Sequence, residues 1–416
     1  MFKLDFLRVL KQNSYFFELK RIELKVNADG EAGQSAREIF KREKAPVLKL
    51  EPIVNNTKIA ILGTVGVPGR YGGFETVAEH LIHYHKRKFL NIKLTVWCSK
   101  KDCTECPDSF ESANLRYINL SANGFQSIFY DMISLLQAVR SGHKKILLLG
   151  TSGALALPLI RIFSQTCIFT NIGGIEWKRK KWGRLARGVL RASEWAAVRF
   201  SHEVIVDNQA ISDHISKTYG RDSNLISYGG DHAVDSIRQI ELPISLPNRF
   251  ALGICRVEPE NNVHVILDAL DGQGISLVFV GNWDASVYGK ELRARYANSP
   301  NLYLLDPIYE TANLYSLRAR ASVYIHGHSV GGTNPSLVEM MHFGIPVLAY
   351  DCVFNRYTTE CKALFFDCSA KLEELLNGLN TNETSRVGAN MLEIAQRCYN
   401  WDDIGKDYFE LLDGGQ

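Results

Sequence analysis

The feature that most constrains this chain is a rhythm. Short apolar runs alternate with longer stretches of helical periodicity. The first run, 58–62, ends at Gly63 and leads through a glycine-rich loop into a helical pattern over 74–88. Further runs follow at 92–98, 146–149, 166–171 and 203–207, with helical stretches between them. Strands alternating with helices predict a parallel sheet covered on both faces. After a polar link at 235–248 containing Pro243 and Pro247, the pattern restarts with runs at 250–254, 276–280, 302–305, 321–326 and 345–350. Prolines stiffen that link and no period crosses it, so it is the expected domain boundary. The expected class is α/β, organised as an appendage (1–56), two Rossmann-like domains (57–240 and 241–395) and a closing helix (396–416).

Bulk properties agree with two cores. A chain of 416 residues exceeds one ordinary core, and 46% hydrophobic with 22% charged residues is ordinary for globular proteins. A net charge of +3 gives no reason to expect a nucleic-acid partner. The longest apolar stretch, 146–162, is broken by Gly150, Thr151, Ser152, Gly153 and Pro158, too soon for a membrane span. Lys3, Asp5, Arg8 and Lys11 interrupt the first residues, which therefore lack the apolar core of a secretory signal, and a cytosolic location is expected. Nine cysteines, an odd number, argue against a complete disulfide framework. Cys103 and Cys106 lack the second ligand pair of a zinc site, so reduced thiols and no bound metal are expected.

In open α/β sheets ligands bind beyond the carboxyl ends of strands, which directs attention to four segments. In the segment from Ser322 to Glu339, Gly327, Gly331 and Gly332 let backbone approach a ligand. Thr333 or Asn334 caps the next helix, Pro335 opens it and Gly344 ends it. Free N–H groups there attract an anion such as a pyrophosphate, and Glu339 is placed to accept from ribose hydroxyls. Read alone, the segment is equally a capped helix with a solvated glutamate; the glycines tilt it towards binding. Gly63 to Gly73 carries five glycines but no Gly-x-Gly-x-x-Gly, which excludes a standard nicotinamide site. The Gly72 and Gly73 amides stand before the following helix, with Arg70 beside them. Arg256 directly follows a strand and can grip a diphosphate bidentately. Lys178, Lys180, Lys181, Arg184, Arg187 and Arg191 crowd a segment with Trp177, Trp182 and Leu185, which suits an anionic membrane surface or a solvated helix face.

Three segments together resemble a known family: 61–76 (Ile-Leu-Gly-Thr-Val-Gly-Val-Pro-Gly-Arg-Tyr-Gly-Gly-Phe-Glu-Thr), 173–179 (Gly-Gly-Ile-Glu-Trp-Lys-Arg) and 327–339 (Gly-His-Ser-Val-Gly-Gly-Thr-Asn-Pro-Ser-Leu-Val-Glu), supported by Arg256 to Asn262. They are similar to the family 4 retaining glycosyltransferases of GT-B fold, in the rhamnosyltransferase-like branch of bacterial surface-polysaccharide assembly. The resemblance spans about 57–410. It implies two domains facing a cleft, a nucleotide-diphosphate sugar as donor, no cofactor or metal, and a glycan or lipid-linked acceptor at the inner face of the plasma membrane. It implies catalytic roles for Arg256 and Glu339, donor contacts from Gly72, Gly73, Gly331, Gly332, Thr333 and Asn334, and acceptor-side roles for Arg70, Glu176 and Lys178. It also implies a C-terminal helix that packs back towards the first domain. Two positions depart from the family: Gly331 stands where a glutamate is common, and Asn261 where a lysine is. A GT-B nucleotide-sugar epimerase and a non-catalytic scaffold are the alternatives. The absence of any Asp-x-Asp fits a metal-independent site.

Overall fold

The structure, a computed structural model, describes residues 57–69, 72–88, 91–103, 105–124, 126–179, 182–235, 240–242 and 245–414. The chain divides into two units, Met1–Val54 and Asn55–Gln416, and the first lies outside the described residues. So do the expected site residues Arg70, Lys180 and Lys181, and Pro243 of the expected link.

Two sheets organise the second unit. The first has strand order β3-β4-β2-β1-β5-β6-β7-β8. Its strands are β1 (Thr57–Leu62), β2 (Ile92–Ser99), β3 (Ser109–Phe110), β4 (Ala113–Ile118), β5 (Lys145–Leu149), β6 (Cys167–Ile172), β7 (Glu203–Val206) and β8 (Asn224–Leu225). Only β3 runs antiparallel, on β4. Helices α1 (Gly73–Arg87), α2 (Gln126–Arg140), α3 (Leu157–Phe163), α4 (Arg184–Phe200) and α5 (Gln209–Tyr219) connect its strands. The second sheet, β11-β10-β9-β12-β13-β14, is wholly parallel. It comprises β9 (Phe250–Ile254), β10 (Ser276–Val280), β11 (Leu302–Leu305), β12 (Val323–His326), β13 (Val347–Tyr350) and β14 (Leu364–Phe366). Its helices are α6 (Val263–Leu270), α7 (Val287–Arg295), α8 (Thr311–Arg320), α9 (Pro335–Met341), α10 (Val353–Thr358), α11 (Ser369–Gly378) and α12 (Thr381–Cys398).

The central strands β1, β5 and β10 are buried along their last four residues, which is why each reads as an apolar run. β4 alternates buried and exposed positions, the pattern of a strand near a sheet edge, and the sequence reading missed it together with β3, β8 and β14.

The last helix, α13 (Trp401–Gly414), leaves the second sheet and lies on the first. Phe409 stacks on Tyr84 of α1 at 5.7 Å between ring centroids, and Asp402 pairs with Arg87. Asn171, near the end of β6, donates to the Tyr408 hydroxyl. Lys145 of β5 donates to the carbonyl of Asp413 at 2.9 Å. One apolar cluster runs from Ile59 and Leu81 through Tyr228 to Leu337 and Trp401, joining both sheets and the last helix. Among the described residues no helix is long and apolar enough to cross a membrane.

Candidate functional site: two cavities that meet at Arg256

The carboxyl ends of the central strands of the two sheets face each other across a cleft holding two adjoining cavities. One, of about 230 Å³, is lined from both sides, by Gly73, Phe74, Glu176, Arg179 and Asp207 of the first domain and by Arg256, His328 and Val330 to Pro335 of the second. The other, of about 870 Å³, lies in the first domain between the loops after β1, β5 and β6 and helices α2 and α4. Arg256 is the second domain's contribution to that larger cavity, and it lines both.

Arg256 leaves β9 on a loop tied to itself. Its carbonyl accepts from Glu258 N–H at 2.9 Å and from Asn261 Nδ2 at 2.7 Å. Asn261 is buried and braces that loop from beneath, so the position where the resemblance leads one to expect a lysine has become structural. The Arg256 guanidinium is left 4.0 Å from Glu258, 40% exposed, and available to a ligand.

The loop before α9 takes a more occupied form than its sequence implies. Asn334 is the cap, its side chain accepting from Ser336 N–H at 3.1 Å. Thr333 instead reaches across the cleft, where its N–H donates to Asp207 Oδ1 at 3.3 Å and its hydroxyl donates to the Asp207 carbonyl. Asn208 Nδ2 holds the same threonine at 3.3 Å and Thr358 at 3.1 Å. α9 ends at Met341, short of Gly344, and is only two turns long, so its dipole is smaller than the sequence suggests. A Cβ on Gly332 would run into the Asp207 carboxylate. Gly332→Ala is therefore expected to lower folding stability by about 1–3 kcal/mol, read as a lower urea midpoint. Adding Asp207→Gly should restore most of that loss, because the two changes share one contact.

The first glycine loop is likewise committed to its own helix. Val65 N–H donates to Glu75 Oε1 at 2.9 Å, and Gly69 N–H to Glu79 Oε2 at 2.7 Å. Gly72 lines neither cavity, and a Cβ there would meet the Glu75 carboxylate. Gly73 lines both, 3.6 Å by its notional Cβ from the Pro335 ring, so the start of α1 and the start of α9 meet across the cleft.

Glu339 borders neither cavity. Burial would raise its pKa, but Arg318 and His232 hold the carboxyl down at about 2. Arg318 donates to Oε2, while His232 Nε2 lies 3.3 Å from Oε1. Trp401 Nε1 donates to His232 Nδ1 at 3.0 Å, which leaves the proton of a neutral ring on Nε2, facing the glutamate. The sequence named none of these partners.

Of the acceptor-side and cationic residues, Glu176 lines both cavities. Arg179 sits 3.5 Å from Glu176 and 3.3 Å from Glu260 of the second domain. Lys178 lies over Trp177 at 5.5 Å, Arg191 covers the same ring at 5.3 Å, and Trp177 Nε1 donates to the buried Glu194. The helix expected to include Lys178 begins only at Arg184, because a 3-10 turn at Glu176–Lys178 precedes it. Arg184, Arg187 and Arg191 are exposed.

Three groups in the cleft were not anticipated. His328 lines the smaller cavity and stacks on His326 at 4.6 Å. Burial holds the His328 pKa well below its ordinary value, so the imidazole is neutral, and its Nδ1 lacks a hydrogen-bond partner. Asp207 stands between the two domains, its carboxyl pushed up to about 7 by burial against the Thr333 N–H. Asp131, on α2, lines the larger cavity at 4% exposure. Burial pushes it to about 7 despite a hydrogen bond from Ser152, and its Oδ1 has no partner.

Residues 56–231 match the family described as Domain of unknown function (DUF1972), and residues 238–385 match Glycosyl transferases group 1. A comparison with curated proteins found no match. Among solved structures, sucrose-phosphate synthase from Thermosynechococcus elongatus is 16% identical at a TM-score of 0.72, over 86% of this chain and 98% of that one. HepE from Anabaena, solved in complex with UDP, is 18% identical at 0.63, over 86% and 100%. The catalytic domain of starch synthase IV from Arabidopsis thaliana, bound to ADP and acarbose, is 13% identical at 0.63, over 86% and 99%. Likeness at such identity shows the fold, which is GT-B.

Proposed function

We propose that this chain is a retaining glycosyltransferase that moves a sugar, rhamnose or another hexose, from a nucleotide-diphosphate donor to a glycan or lipid-linked acceptor. The proposed setting is surface-polysaccharide assembly on the cytoplasmic side of the membrane. The observation that carries this reading is the position of Arg256, which borders both cavities. The group 1 match over the second domain and the UDP-bound and ADP-bound neighbours support the donor class.

In this reading the donor lies across the smaller cavity, its diphosphate paired with Arg256 and its sugar directed to the larger one. The bond from the anomeric carbon to the diphosphate oxygen breaks as the acceptor oxygen approaches from the same face. The departing oxygen takes the acceptor proton, so no protein nucleophile is needed. The protein stabilises the charge on the leaving group and orients the two substrates. His328, neutral, offers a polar contact that adds no charge. Asp131, which borders the larger cavity and has a buried carboxylate oxygen without a hydrogen-bond partner, is the proposed acceptor-positioning group. Neutralisation without a metal ion rests on the missing Asp-x-Asp and on the arginine.

Thermal stabilisation against a panel of nucleotide sugars, with chelator present, tests the donor class. A donor at a hundred times its dissociation constant should stabilise the fold by about 2.7 kcal/mol. Transfer from that donor should follow with a glycan or lipid-linked acceptor. Conversion of the donor without any acceptor would instead indicate an epimerase, and binding without turnover a scaffold.

A further inference from the structure

The outward side of the first domain's helical layer is unusual in both apolarity and charge. α2, α3 and α4 cover one face of the first sheet, burying Leu135, Leu157, Ile160 and Ala197 against it. Each helix also carries large apolar side chains on the solvent side. Ile133 and Leu136 of α2 are exposed, as is Leu159 of α3. Ile162 and Phe163 of α3 are 72% and 82% exposed, and Trp195 of α4 is exposed as well. A soluble surface rarely gathers so many exposed apolar groups in one place.

The charge on the same face has one sign. Arg140, Arg161, Arg187, Arg191 and Arg199 are all exposed. The only carboxylates on these three helices, Asp131 and Glu194, are buried. Where α3 and α4 end, a cavity of about 610 Å³ opens, lined by Arg161, Trp195, Arg199, His202 and Arg221. Arg221 donates to the Ser201 and His202 carbonyls at 2.9 and 2.7 Å, which fixes its guanidinium without neutralising it. Glu203 is the one carboxylate in that lining, and it accepts from Asn224 at 2.9 Å.

We propose that this outer face is a docking surface for an anionic bilayer, and that the arginine-lined cavity at its end receives the phosphate headgroup of an anionic lipid. Apolar side chains enter the acyl boundary while arginines meet lipid phosphates, the pairing that peripheral membrane helices use. Charge complementarity selects this occupant, since a face with five arginines and no exposed carboxylate on its helices would repel a second copy of itself. The proposal goes beyond the transferase reading and is measured without sugar transfer. It also widens the membrane contact expected from Arg184, Arg187 and Arg191 to helices in which the sequence singled out nothing.

Flotation of the full chain with vesicles tests it. The protein should float with vesicles of phosphatidylcholine containing phosphatidylglycerol, less so as salt rises, and should not float with phosphatidylcholine alone. Ile162→Ser/Phe163→Ser and, separately, Arg161→Ala/Arg199→Ala should each weaken binding tenfold or more. All four side chains are exposed, so both variants should keep the wild-type melting temperature. Three results would overturn the proposal: no flotation at low salt, flotation unchanged in both variants, or a dimer that the apolar variant dissociates. Unchanged flotation would mean that another surface of the chain holds the vesicle.

Discussion

Replacing Arg256 with alanine is expected to lower kcat for sugar transfer by about 10²–10³-fold while leaving the fold intact. The size follows from losing one preorganised donor to a developing negative charge, about 3–4 kcal/mol in other enzymes. The selectivity for activity follows from local structure. The guanidinium is 40% exposed and its nearest carboxylate is 4.0 Å away, so folding draws little from it. The loop around it is held by the Arg256 carbonyl, which alanine retains. Arg256→Lys should recover only part of the rate, because an ammonium cannot bind a diphosphate bidentately. Single-turnover rates with saturating donor, beside melting curves of both variants, make the measurement. Wild-type turnover in Arg256→Ala would remove the central support for the proposed function.

How far the sequence could be read depends on where each interaction partner lies along the chain. The alternation of strands and helices is a local property, and central strands buried on both faces announce themselves as apolar runs. β4 does not, because alternate residues such as Leu115 and Arg116 serve opposite faces, one buried and one exposed. Arg256 could be singled out because it stands directly after a strand whose end must face the cleft. Glu339 could be singled out too, but not its environment: Arg318 comes from the preceding helix, and His232 and Trp401 from elsewhere in the chain. The glycine loops misled for a related reason. Their composition advertises free amides, yet Val65, Gly69 and Thr333 donate to Glu75, Glu79 and Asp207, and only the folded chain shows those acceptors in place. Asp131 and Asp207 had no local signature at all. Asp131 is the one acid of its helix, and it becomes a cavity residue because α2 presses on Gly153, whose notional Cβ would stand 2.7 Å from the Asp131 Cβ.

That placement gives Asp131 a stability cost that varies with pH, from which a second expected result follows. Burial holds its carboxyl near 7 instead of 3.8. The protonated form is therefore the one the folded chain favours, and the associated stability is fully present below about pH 4. It is lost as pH rises towards 7, and above 7 the folded chain carries an ionised carboxylate at a cost of about 4 kcal/mol. Asp131→Asn keeps the size and removes the ionisation. At pH 8 the variant should melt several degrees above the wild type, and at pH 4 the two should nearly coincide. Transfer should move the other way at pH 8, falling tenfold or more with the loss concentrated in the acceptor KM, because the variant side chain offers the acceptor hydroxyl an amide in place of a charged oxygen. A purely structural aspartate would give the pH-dependent gain in stability with no change in acceptor KM. A variant that is both more stable and less able to use its acceptor would show that the chain retains a destabilising buried charge for the sake of the substrate bound over it.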